Sequence, residues 1–145
     1  PERELLSDLI DAIAQGDPAT VLKNTGALLS TGVSGDQVLG SLLDRFRDLM
    51  VLGSCGKDTD LVELSPESRE QELERARQFD AAGLVHMIAL CESVQRAIKS
   101  SPAPRALLDA CMVRLAMTEK IADVAAFVKA GGNATSQGAP ALKKA

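Results

Sequence analysis

The chain has 145 residues, 46% hydrophobic and 25% charged, which suffices for one apolar core and is too short for two independent ones. Aromatic residues make up only 2%, Phe46, Phe79 and Phe127 without Trp or Tyr, so Leu, Val, Ile, Met and Ala fill the interior and helices are favoured over strands. A net charge of -4 and a pI near 5.0, together with so few aromatic rings, exclude the basic, base-stacking surface of a nucleic-acid reader, so no direct nucleic acid binding is expected.

Residues 3–15 carry Leu5, Leu6, Leu9, Ile10 and Ile13 at amphipathic helical spacing, and Gly16 closes this first helix. Asp17-Pro18 restarts the chain as a cap followed by proline at the first helical position, with Val21, Leu22, Leu28 and Leu29 on the apolar face up to Gly32. A third helix is predicted from Ser34 to about Leu52 through Val38, Leu39, Leu42, Leu43, Phe46, Leu49 and Met50, with Gly53 terminating it. Residues 53–64 then break the periodicity and read as a loop, which places Cys55 in an exposed turn.

Ser65-Pro66-Glu67 opens a fourth helix in the preferred order of cap, proline and acid. It is dense in charge, and its apolar contacts come mainly from Leu73, Ala76 and Phe79, so it reads as a solvated helix with a narrow buried stripe. Asp80 caps a fifth helix over about residues 81–99, with Leu84, Val85, Met87, Ile88, Cys91, Val94 and Ile98 facing inward. Ser100 to Pro104 interrupts it, because neither proline can donate the helical hydrogen bond.

The last helix starts at Pro104 and extends to about Lys129, ending at Gly131-Gly132. The small, proline- and lysine-containing residues that follow read as a disordered linker. The expected architecture is therefore all-α: a single compact domain of about six helices, residues 3–130, with antiparallel neighbours, plus a flexible C-terminal tail over 131–145.

Stepping about 100° per residue along the last helix, Leu107, Leu108, Cys111, Met112 and Leu115 form one apolar arc, which suffices for the core. A second stripe follows Val113, Met117, Ile121, Val124 and Val128 on another side of the same helix. Two arrangements account for it. Either the helix is surrounded by its own domain or folds back near Thr118, or the stripe packs against another protomer or a sister subunit.

No autonomous chemistry is legible. Gly53-Ser54-Cys55-Gly56-Lys57-Asp58 resembles a phosphate loop only superficially, since Val51 stands where the first glycine belongs and Asp58 where Ser or Thr would hold magnesium. Asp58 and Asp60 lack the further oxygen ligands of a calcium loop, and His86, the single histidine, has no partner at ligand or triad spacing. Cys55, Cys91 and Cys111 form no C-x-x-C pair, and Cys91 and Cys111 read as small core hydrophobes in a reducing compartment. No cofactor, metal or catalytic residue is expected, and no apolar run approaches the roughly 20 residues that span a bilayer. The chain reads as cytoplasmic, and a start at Pro1 without an initiator Met suggests a piece of something longer.

The run Ser101-Pro102-Ala103-Pro104-Arg105-Ala106-Leu107-Leu108-Asp109-Ala110-Cys111-Met112-Val113-Arg114-Leu115 resembles the third domain of the bacterial DNA polymerase III gamma/tau subunit, where a proline-arginine step opens a helix that later carries an arginine-leucine pair. Pro104-Arg105 and Arg114-Leu115 match those two ends. The first half is similar too, in Leu5 to Ile13, the Gly16-Asp17 turn, and Gly32-Val33 before a helix carrying Leu42-Leu43 and Arg47-Asp48-Leu49. The likeness covers about residues 3–117, with Ala103 where asparagine often precedes the proline and Asp109 in place of a glutamate.

The resemblance implies a non-catalytic oligomerisation, or collar, domain of a clamp loader, which supports ATP-dependent loading of the sliding clamp in DNA replication. Its partners would be other clamp-loader subunits through their collar domains, or further copies of itself. The parent would be an ATPase subunit of DNA polymerase III, with its ATPase and zinc-binding modules upstream of this region. A helical adaptor or regulatory interaction domain unrelated to replication is the alternative that the residues themselves leave open.

Overall fold

A computed structural model describes residues 2–136, with side chains for all of these except 119–127 and 130–136. Its six helices are α1 Glu2–Gln15, α2 Pro18–Ser30, α3 Gly35–Cys55, α4 Pro66–Ala76, α5 Ala81–Ile98 and α6 Pro104–Ser136, with no strand among the described residues.

Local hydrogen bonds set the helix starts. Asp17 accepts from the Thr20 backbone at 3.3 Å and from its hydroxyl at 2.6 Å, with Pro18 at the first helical position. Ser34 and Gln37 form a reciprocal capping box at 3.2 and 2.9 Å. Ser65 and Asp80 each accept from the backbone N–H three residues on, at 3.2 Å.

Two helix ends differ from the expectation. α3 continues past Gly53 to Cys55, and Gly56 takes the turn at φ 90°. Glycine weakens a helix without ending it, and at residue 53 the packing of α4 does not require one, since a β-carbon there would make an ordinary 3.7 Å contact with that of Ala76. Cys55 is therefore the last residue of α3, exposed as expected but not in the loop. Likewise α6 does not end at Gly131-Gly132 but runs to Ser136, so the first six residues of the expected linker are helical. The remainder of that linker, residues 137–145, lies outside the described residues.

The helices pack as three sequential pairs, α1 with α2, α3 with α4, and α5 with α6. Long-range contacts then join the pairs: α3 lies along α5, while α6 crosses onto α1 and α2. The core at their junction contains Leu9, Ile10, Ile13, Leu39, Leu42, Phe46, Leu49, Met87, Met112 and Leu115, all under 2% exposed. Phe46 meets Phe79 edge to face, with ring centroids 6.2 Å apart.

α4 is held by charge as much as by apolar contact. Leu73 is only half-buried, whereas Glu72 is buried and takes a bidentate pair from Arg45 of α3 at 3.0 and 2.9 Å. Arg45 also donates to the Ser7 hydroxyl at 3.0 Å, and Arg75 bridges Glu72 at 2.7 Å to Asp11 at 3.0 Å, tying α1, α3 and α4 together. Partial burial disfavours the Arg75 charge, but the bonds to Glu72 and Asp11 outweigh it and hold its pKa above the ordinary arginine value. The loop before α4 is organised the same way: Arg69 donates to the carbonyls of Leu64 at 3.0 Å, Lys57 at 3.2 Å, Thr59 and Val62.

Candidate functional site

The two apolar arcs of α6 separate in the fold. Leu108, Cys111, Met112 and Leu115 are buried against the rest of the domain, joined by Ala116, while Leu107 is half-buried. On the second stripe Val113 is half-buried, Met117 is 49% exposed and Val128 is 53% exposed. Ile121 and Val124 lie on the same helix, but their side chains are outside the described residues. α6 is continuous through Thr118, whose hydroxyl donates to the Arg114 carbonyl at 2.8 Å, so the helix does not fold back there.

Val113 and Met117 form one wall of an open groove of about 980 Å³ between α6 and the start of α5. The opposite wall is Ala82, Gly83 and His86 of α5, and Ala110 of α6 also lines the groove. Small side chains at residues 82, 83 and 110 leave the two helices without the interdigitation that would otherwise close the gap. Gly83 is also the residue whose backbone N–H the Asp80 cap engages, so the cap that starts α5 shapes the rim. Polar groups stay at the edges: Asp80, Asp109 and Arg114, with Asp109 paired to Arg105 at 3.1 Å one helical turn back.

His86 lies on an exposed part of α5 and contributes to this groove. Val85 corrects the expected inward face of α5, since it is 57% exposed. The α5 wall was not legible from periodicity, because residues 81–83 carry almost no side chain and therefore almost no apolar signal.

The remaining singled-out residues are not brought together. Gly53, Ser54 and Cys55 are helical, which removes the loop a phosphate cradle needs, and Asp58 and Asp60 are exposed in the segment before α4. Cys91 and Cys111 meet in the core between α5 and α6. Donating its S–H to Cys111, together with burial, pushes the Cys91 thiol well up, so it stays protonated and inert. Among the described residues no group of three His, Cys, Asp or Glu is placed to hold a metal ion, and no helix is long and apolar enough to cross a membrane.

Residues 2–130 match the family model of DNA polymerase III subunits gamma and tau domain III. The chain is also similar to the DNA polymerase III subunit gamma/tau of Mycobacterium bovis and of Mycobacterium tuberculosis, at 26% identity over 113 residues in each case. Those alignments cover 77% of this chain and 20% of the relatives, so the chain spans about a fifth of the length of the curated relatives it matches. No solved structure gives a significant match.

Proposed function

The chain belongs to the family of DNA polymerase III gamma and tau domain III, and from that premise we propose that it is the non-catalytic collar, or oligomerisation, domain of a clamp-loader subunit. The observation that carries this reading is the second apolar stripe of α6, half exposed at Met117 and Val128 on a helix whose other arc already completes the core. A half-exposed apolar stripe continuous with an apolar groove is what a protein partner surface needs. Val113, Met117, Ile121, Val124 and Val128 are the interface residues in this reading, with the α5 wall of the groove receiving part of a sister collar domain.

In the parent protein the domain joins subunits while an ATPase upstream drives loading of the sliding clamp. This piece contributes geometry and no chemistry. Its acidic character suits that place, since a domain of net charge -4 is repelled by the DNA that other parts of the machine grip.

Light scattering of the chain, alone and mixed with the corresponding domains of the other loader subunits, tests the reading. The wild type is expected to assemble, and Val113→Asp with Met117→Asp to abolish assembly while the circular dichroism of the folded domain persists. Assembly unchanged by the two substitutions removes this interface, and no association with any sister domain removes the collar role.

A further inference from the structure

A different surface carries unused polar capacity. Over α3, where the α1 start and the α2–α3 turn approach it, lie two adjoining depressions of about 350 and 600 Å³ that share Glu2, Val33, Ser41 and Asp44. They have no lining residue in common with the α5–α6 groove. Leu6, Leu28 and Val38, all buried, line the smaller one, and the acids Glu2, Asp36, Asp44 and Asp48 surround the pair, outnumbering the lining cations Arg3 and Arg45, with Lys99 4.0 Å from Asp36 Oδ2.

Among the described residues two buried side-chain atoms have no hydrogen-bond partner, Asp36 Oδ1 and Arg45 Nη1, and both residues line this surface. The Arg45 side chain is only 8% exposed, and its Nε and Nη2 are fully used by Glu72 and Ser7. A buried donor left unsatisfied is destabilising, so an acceptor reaching Nη1 is favoured. That acceptor is not an anion. The Arg45 charge is already met by Glu72, and an incoming phosphate or carboxylate would face four carboxylates against Arg3 as the one other lining cation. A neutral carbonyl fits, and cations fit the rim.

We propose that this surface docks a basic segment of a partner polypeptide. An apolar side chain of the segment rests on Leu6, Leu28 and Val38, a backbone carbonyl accepts from Arg45 Nη1, a backbone N–H donates to Asp36 Oδ1, and a Lys or Arg reaches Asp44 and Asp48. The backbone groups provide register, and the acid rim selects against acidic segments, nucleic acid and anionic lipid.

The probe is a set of synthetic peptides in which one Leu, Ile or Val is flanked by Lys or Arg, beside a matched set with Glu at every basic position, titrated into the ¹⁵N-labelled chain. Saturable binding of basic members at least about tenfold tighter than their acidic counterparts is expected, with shifts centred on residues 36–48. Asp44→Lys with Asp48→Lys should remove it, and so should Ser41→Trp, which fills the depression from an exposed position without altering charge. Met117→Asp, on the separate α6 surface, should bind like the wild type whether or not the collar reading holds. The proposal is overturned if no basic peptide saturates, if acidic members bind equally, if the shifts fall elsewhere, or if Ser41→Trp retains binding while folded by circular dichroism, which would leave only diffuse attraction to an acidic protein.

Discussion

α4 and α6 invert each other. α4 is dense in charge yet sends Glu72 into the interior, where Arg45 and Arg75 meet it, whereas α6 is rich in apolar side chains yet leaves Met117 and Val128 half exposed. A short charged helix cannot be fixed by its apolar stripe alone, and Leu73 is only half-buried, so directional ion pairs supply the register that packing does not. A long apolar helix has more surface than one small core can cover, and the surplus is available to a partner.

Breaking the inward charge of α4 should have the largest effect. Glu72→Ala leaves Arg45 buried without its counter-charge and is expected to cost about 3–5 kcal/mol in urea unfolding. Replacing the pair together, Arg45→Met with Glu72→Leu, should recover most of that loss, because apolar side chains of similar volume need no counter-charge. If the single substitution costs no more than an ordinary surface change, charge does not anchor α4 and the contrast with α6 collapses.

Arg69→Ala tests the loop that delivers α4. Carbonyls of Lys57, Thr59, Val62 and Leu64 lose their shared donor, with an expected loss of about 1–3 kcal/mol and faster amide hydrogen exchange confined to residues 57–64. Asp80→Ala removes the cap beneath the α5 wall of the groove and should lower stability by about 1 kcal/mol, read as a shift of the denaturation midpoint at constant m. Met117→Asp sharpens the comparison from the other side. It should change folding stability by less than about 1 kcal/mol while reducing association with sister domains, and a loss of folding instead would mean that the stripe serves the domain's own core.

The candidate groove was half legible. The α6 wall, Val113 and Met117, follows from apolar spacing that one core does not explain, and Met117 is indeed half exposed. The α5 wall did not follow, because Ala82 and Gly83 shape the groove by what they lack, and a periodicity of side chains is blind to small residues. Val85 misled for the related reason that an apolar residue in an apolar helix gives no sign of which side is covered.

The sequence by itself determined where helices begin: Asp17, Ser34, Ser65 and Asp80 each satisfy a backbone donor within three residues, so nothing distant is needed. It determined helix ends less well, since a glycine stops a helix only where the chain must turn, as at Gly56 and not at Gly53. What the tertiary structure alone decided is which charges go inside. Glu72 stands among seven charged residues in the stretch from Glu67 to Arg77, and only the approach of Arg45, 27 positions away, makes its burial possible. A charge leaves water when a counter-charge and donors are fixed in place to receive it, and their positions belong to the packing of α1, α3 and α4 together.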